Sequence, residues 1–396
     1  MSVLVIYNPV CGDGTAKQFF EQYVIPYLKD ANITPTSITA TGSVGDAGAA
    51  VIKFLANQQG DVTVILGSGD GTLHEIINAM ASDTSRRVRD SCPSVRMVLV
   101  PCGTANALYA SFFTHAELDP VAYKLQSLKA FASGSVAKAL TLAFTSLSGS
   151  STREPTRPEV VVSAVVTSTA LHAAILDDSE NLRQQYPGIE RFKVAAQQNI
   201  TRWYNSRVKL FPLPSSGVVH IYDPERRTFV SHKDSDEGNP IMDLYGPFAY
   251  FLSTVNVDRL EPAFRICPMI LDDPPQDASL DVIVIRPRRN PTFSLHTPQA
   301  REEFATTTFA VLMEVYRNGN HINLRYKEDG DTTDSGLGPV VVEYFRCGGW
   351  EWIPDDADER AHLLCSDGAI FRIDEGGRAV CRAARPTDNT AVLVYA

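Results

Sequence analysis

Gly67-Ser68-Gly69-Asp70-Gly71-Thr72 is a glycine run with a single carboxylate inside it. Upstream, Val62-Thr63-Val64-Ile65-Leu66 is apolar and β-branched and reads as a buried strand; downstream, apolar residues from Leu73 to Met80 recur at helical spacing. The pattern predicts a strand, a tight loop and a helix. Such a loop brings backbone N–H groups close to an anion, and the helix N-terminus adds a dipole that favours phosphate. Asp70 does not fit a plain anion site, because a carboxylate repels phosphate. Its presence implies a further role, whether accepting a proton from a nucleophile, holding a metal, or capping the helix that follows.

The arrangement recurs on either side. Val3 to Tyr7 reads as a strand, ends in Asn8-Pro9-Val10-Cys11-Gly12-Asp13-Gly14-Thr15, and is followed by a helix with Phe19, Phe20, Tyr23, Val24 and Tyr27 on one side. Val95 to Val100 is another short apolar run, delivering Pro101-Cys102-Gly103-Thr104-Ala105-Asn106 before a helix from Ala107. Between them a helix is expected over Ala47 to Gln58, and the polar connection Ser82 to Ser94 carries Arg86, Arg87 and Arg89, read as a solvated loop rather than a phosphate clamp. The first two loops match neither the Walker A ending nor the dinucleotide fingerprint. In an open parallel sheet the loops at the carboxyl ends of the strands share one edge, so these three converge on one crevice. A nucleoside triphosphate is the ligand that so many backbone donors suit.

Composition narrows the partners. The chain has 396 residues, enough for two domains with separate cores. A formal charge of −10 and the lack of a basic stripe argue against nucleic acid. Seven cysteines, scattered without metal-ligand spacing, read as reduced thiols in a cytosolic setting. Met1-Ser2 runs directly into an apolar strand, so no signal peptide is expected, and no apolar run approaches the roughly 20 residues of a membrane span.

Beyond the third loop, Leu118 to Leu147 reads as helices, and Ser146 to Pro158, rich in Ser, Thr and Pro, marks a boundary that divides the chain into residues 1–150 and 151–396. From Glu159 onward short strand-like runs alternate with turn clusters: Val160 to Thr167, Val218 to Tyr222, Ala249 to Val257, Leu280 to Arg286, Val340 to Phe345, Leu363 to Cys365 and Ala391 to Val394. This predicts a mainly β second domain, most simply a sandwich. His172 and His321 lack spaced partners and read as structural histidines.

Asn8-Pro9 with Gly12 and Gly14, then Ser68-Gly69-Asp70-Gly71 with His74-Glu75 and Asn78, then Gly103-Thr104-Ala105-Asn106-Ala107-Leu108, resemble the three ordered motifs of the diacylglycerol kinase catalytic-domain superfamily. Within it, Ser-Gly-Asp-Gly followed by His-Glu, and Asn-Ala-Leu in the third block, are most similar to sphingosine kinases. The resemblance implies a Rossmann-like α/β domain with a parallel sheet and a C-terminal antiparallel β-sandwich that holds a lipid chain. It implies an ATP-dependent lipid kinase with Mg²⁺, its acceptor a sphingoid base, with diacylglycerol, another lipid alcohol, or a non-catalytic nucleotide- or lipid-binding role as alternatives. It also implies a cytoplasmic protein in transient contact with a membrane surface, and leaves the oligomeric state open.

The same resemblance assigns residues. Asp70 would take the hydroxyl proton; Glu75 would orient its surroundings or hold a metal-bound water, unless it is an ordinary solvated helix residue. Asn8, Pro9, Gly12 and Gly14, then Ser68, Gly69, Gly71 and Thr72, then Gly103, Thr104 and Asn106 would surround the nucleotide, with Thr41 near the adenosine. Arg183 and Arg191 would face phosphates, a role suited to guanidinium groups. Ser168 to Asp178 resembles the lipid-recognition segment, with Ser168, Asp177 and Asp178 as substrate contacts; a sphingoid ammonium gives a reason for an acidic residue there, and Asp178 fits best. Asp367-Gly368 corresponds to a nucleotide-side segment that ends in glutamate in the family, where this chain has Ala369; Glu351, Glu359 and Glu375 lie nearby in sequence. The metal ligands stay unassigned.

Overall fold

The structure is a computed structural model and describes residues 2–58, 60–83, 94–113, 119–150, 159–186, 188–292, 295, 297–385 and 391–396. Arg86, Arg87 and Arg89, and residues 151–158 of the expected boundary, lie outside the described residues. The chain is a mixed α/β protein that divides into two units, one of residues 1–142, 260–262 and 385–396, the other of residues 143–259 and 263–384.

The first unit is built on a six-stranded sheet. Strands β1 (Ser2–Tyr7), β2 (Ser37–Ala40), β3 (Val62–Ser68) and β4 (Val95–Pro101) run parallel, in the order β2-β1-β3-β4. All seven residues of β3 are buried, as its β-branched and apolar composition requires of a central parallel strand. Register decides where the loops emerge: Tyr7 lies beside Gly67, and Ser68 beside Pro101. Three glycine-containing loops therefore leave one sheet edge at the same level.

Helices follow each of these loops. α1 (Ala16–Phe19) passes through a π-helical turn, Phe20–Val24, into α2 (Ile25–Asp30). Phe20 lies so close to β3 that a methyl group on Gly67 would sit 2.1 Å from its ring, which explains glycine at that strand end. α3 (Asp46–Ala56) precedes β3, α4 (Asp70–Ser82) follows the second loop and α5 (Ala107–Phe112) the third. α6 (Pro120–Lys124) and α7 (Gln126–Ala132) meet the expectation of helices after the third block. That expectation fails beyond Ala132, where β5 (Lys138–Ala139) and β6 (Leu142–Leu147) replace helix; the alternating Leu142, Phe144 and Ser146 side chains suit a strand.

A second correction concerns the end of the chain. Val392–Val394, read with the β-rich second half, instead joins the first sheet, parallel to β4 with Val392 beside Val95 and antiparallel to β5. Ser127 locks it there: its buried hydroxyl accepts from Leu99 N (3.0 Å) and donates to Tyr395 O (2.6 Å).

The second unit carries antiparallel sheets of eight and six strands. The expected runs appear as Val160–Ser163, Val166–Thr169, His220–Asp223, Tyr250–Thr254, Leu280–Ile285, Val342–Cys347 and Leu363–Ser366. Trp350 and Trp352 of the six-stranded sheet pack on Phe251 of the eight-stranded one, each at 5.3 Å between rings, and the Trp350 indole donates to Ser253 Oγ. Helices α8 (Ala170–Asn181) and α9 (Glu190–Asn199) follow the strand Val166–Thr169.

Ser127→Ala leaves the Leu99 N–H and the Tyr395 carbonyl without their shared partner. The expected loss is about 1–3 kcal/mol in denaturant unfolding, and a curve unchanged from wild type would show the C-terminal strand is held by other contacts.

Candidate functional site

The three loops are one packed object. In the first, Asn8 N donates to Gly67 O (2.9 Å) and Asn8 Oδ1 accepts from Val10 N (3.1 Å), so Asn8 shapes the turn at Pro9. Gly12 and Gly14 have φ of +57° and +75°, the left-handed region open to glycine. A methyl on Gly12 would lie 2.2 Å from the carbonyl oxygen of Cys102, so the first loop rests directly on the third. The second and third touch in the same way, since a methyl on Gly103 would lie 2.5 Å from Gly69 Cα. Ser68 and Thr72 exchange a hydroxyl hydrogen bond of 2.6 Å. Asn106, itself at φ +53°, closes the third loop by accepting from Gly103 N (2.9 Å) and donating to Gly103 O (2.8 Å). Gly71 has open space around it and Thr104 is exposed.

Asp70 is the first residue of α4, and its carboxylate caps a helix other than its own. It accepts from Ala107 N (2.6 Å) and Leu108 N (3.2 Å), the first two N–H groups of α5. The positive end of α5 suits an anion, and the two bonds tie the second loop to the third. Ser68, Gly69, Asp70 and Asn106 line a cleft together with the apolar Leu73 and Tyr109. Tyr109 was not singled out from sequence, because its position on α5 reads as ordinary core.

Glu75 is half-buried, and its Oε1 accepts from Gly48 N of α3 (2.9 Å). Gly48 packs so near α4 that a methyl there would meet Ala79 Cβ at 2.7 Å, so Glu75 serves as a latch between α3 and α4. Thr41 is buried just past β2, its N–H donating to Tyr7 O (3.0 Å) at the end of β1.

The remaining candidates lie in the second unit. Ser168 is fully buried and shares a 2.7 Å hydrogen bond with His172 Nδ1. Burial pushes His172 down to about 4, so the ring is neutral. Asp177 and Asp178 are both held by Arg360, each at 2.8 Å, and Asp178 also accepts from Asn199 Nδ2 (2.6 Å). Arg360 and Asn199 were missed from sequence; residues so far apart in the chain give no spacing signal. Arg183 pairs with Glu180 at 2.7 Å on an exposed surface. Arg191 differs: it is 7% exposed, stacks on Phe192 at 4.5 Å, and makes one 3.3 Å bond to Gly188 O, while its Nε has no partner. Burial, followed by the nearby Arg183 charge, lowers its pKa, and Glu180 acts in the opposite direction.

Asp367 is turned into its own unit. At φ +47°, its buried carboxylate accepts from Ala164, Val165 and Val166 N at 2.8–2.9 Å. Gly368 takes φ +94° at the turn, and Ala369 pairs with Ser366. Of the nearby glutamates, Glu351 is bound by Lys209 and Arg378, each at 2.8 Å, and Glu359 pairs with Arg372. Among the described residues no group of three His, Cys, Asp or Glu is assembled to hold a metal.

Residues 2–138 match the diacylglycerol kinase catalytic domain family. Human sphingosine kinase 2 is 29% identical over 119 residues, covering 30% of this chain and 17% of that protein. Sphingosine kinase 1 of Arabidopsis thaliana is 26% identical over 214 residues, covering 54% and 40%. A diacylglycerol kinase of Staphylococcus saprophyticus is 37% identical over 102 residues, covering 26% and 30%. The chain thus spans less than half the length of each of these relatives. Crystal structures described as diacylglycerol kinases of Bacillus anthracis str. Sterne share the fold over 99% of this chain, with TM-scores of 0.52 and 0.50 at 13% and 12% identity; 95% and 96% of those chains are covered. What the comparisons share is a diacylglycerol kinase catalytic-domain match over residues 2–138.

Gly103→Ala forces a methyl group into the Gly69 backbone. We expect a stability loss of about 1–3 kcal/mol, the range for overpacking a tight site, measurable by thermal unfolding. A melting curve identical to wild type would mean that the loops separate without penalty.

Proposed function

We propose that this protein is an ATP-dependent lipid kinase that transfers the γ-phosphoryl group of ATP to the primary hydroxyl of a lipid alcohol. The observation that carries this reading is the convergence of three glycine loops at one edge of a parallel sheet, packed where no side chain fits, with Asp70 among them. In this reading residues 1–150 form a Rossmann-like nucleotide-binding half and residues 151–396, apart from the C-terminal strand Val392–Val394 that joins the first sheet, a β-sandwich for the lipid chain.

Phosphoryl transfer needs in-line positioning and charge neutralisation more than covalent chemistry. The backbone N–H groups of the loops would hold the phosphates. Mg²⁺ would enter with the phosphates, since this cation commonly takes only one or two protein carboxylates, and supplies neutralisation of the charge that develops on transfer. The Asp70 carboxylate, which lines the cleft between the loops, would receive the hydroxyl proton as the lipid attacks.

The finer reading of the acceptor is a sphingoid base. The sphingosine kinases among the relatives support it, and so does charge: Asp177 and Asp178 share a single guanidinium, leaving net negative charge for an ammonium. Diacylglycerol or another neutral alcohol offers no such partner. Contact with a membrane surface and a cytoplasmic location belong to the same reading; among the described residues no helix is long and apolar enough to cross a membrane. A binding protein without turnover is the second reading. It is favoured by the use of Asp70 as a helix cap, which accounts for the carboxylate without chemistry.

Lipid phosphorylation by the wild type separates the two, and Asp70→Asn then tests the proton-accepting role. The amide oxygen retains one acceptor for α5 but takes no proton, so lipid phosphorylation should fall by about 10²–10⁴-fold while the protein stays folded. Wild-type turnover in this variant would reduce Asp70 to a structural cap.

A further inference from the structure

The loops are electrostatically incomplete. Asn8 to Thr15, Gly67 to Thr72 and Pro101 to Asn106 contain no lysine or arginine, yet they contain the carboxylates Asp13 and Asp70. Backbone N–H groups offer partial charges, and a triphosphate brings several full negative charges to the same place. A side-chain cation reaching the loops from elsewhere in the fold would add to the charge neutralisation that Mg²⁺ supplies.

The last residue of α6 is placed to do so. The Lys124 ammonium lies 5.2 Å from the centroid of the Phe19 ring, and Phe19 ends α1, the helix that leaves the first loop. Leu125, the next residue, packs in the same core cluster as Phe19 and Cys102, and Cys11 packs against that cluster. The Lys124 charge is felt at the first and third loops. Asp13 is held below the ordinary carboxylate range first by the Thr15 hydroxyl, and Lys124 adds to that effect. At Cys11 and Cys102 burial pushes the thiols up, Cys102 to about 12, and Lys124 pulls the other way.

Among the described residues no carboxylate forms an ion pair with Lys124. Among the described residues, Arg96 binds Asp61, Lys17 faces Glu21 at 3.9 Å, and Lys29, Lys53, Lys129 and Lys138 are exposed, Lys138 lying 5.8 Å from the Phe112 ring centroid. A half-buried ammonium resting on an aromatic face is partly desolvated, and a flexible four-carbon stem lets it swing to an anion.

We propose that Lys124 is the phosphate-binding cation of the three-loop cradle, recognising the triphosphate of a nucleotide. The proposal rests on the nucleotide-binding reading above and adds to it a residue from outside the loops.

Titration calorimetry with ATP, ADP and adenosine on the wild-type protein and on Lys124→Gln and Lys124→Arg tests it without requiring turnover. Loss of one charge-assisted contact corresponds to roughly 10- to 100-fold weaker ATP binding in Lys124→Gln, with ADP affected and adenosine unchanged. Lys124→Arg keeps the charge and should weaken ATP binding less than Lys124→Gln does. An equal change for all three ligands, or none for ATP, overturns the proposal while leaving the kinase reading intact. The predicted pattern without any lipid phosphorylation supports Lys124 and removes the kinase reading. Absence of ATP binding by the wild type overturns both.

Discussion

The bond between the Asp70 carboxylate and the first two N–H groups of α5 is the contact on which the first unit's loop edge depends. Parallel strands bring loops to a common edge but do not fix them to one another. Here the second loop is pinned to the third by charge-assisted bonds, each worth about 1.5–3 kcal/mol, and the third is pinned to the first by the Gly12–Cys102 approach. Glycines at 12, 69 and 103 permit these backbone contacts, and Asn106 tightens the last loop on itself. The result is a preorganised set of donors, which lowers the ordering cost of binding an anion.

The same bond changes the meaning of the carboxylate. From sequence, a carboxylate in a phosphate loop invites a catalytic role, with a cap on its own helix as the plain alternative. The structure gives a third answer, a cap on the neighbouring helix, and this role is compatible with chemistry because a carboxylate offers about four lone-pair sites. Structural and catalytic duties can therefore coincide in one side chain. Glu75 and Asp367 illustrate the opposite case: each is committed to backbone donors of its own unit, at Gly48 and at residues 164–166.

Much of the first unit is legible in the sequence because its signals are local. Val62 to Leu66 can hardly be anything but a buried strand, and strand, glycine loop and helix succeed one another three times within the first 112 residues. What sequence does not carry is pairing over distance. Val392–Val394 is too short to declare which sheet it joins, and its partner Val95 is nearly 300 residues away. Arg360 gives no hint that it binds Asp177 and Asp178, and Lys124 reads as any lysine at a helix end. The helices α8 and α9 lie inside a half whose strand-like runs dominate the pattern.

Whether this loop edge delivers phosphate to a lipid is tested most directly by incubation with ATP labelled at the γ-phosphate, Mg²⁺ and a panel of lipid alcohols that includes a sphingoid base and diacylglycerol, followed by lipid extraction. The expected result is labelled phospholipid that depends on both ATP and the acceptor, strongest with the sphingoid base. Measurable ATP binding with no label in any extracted lipid would contradict a kinase.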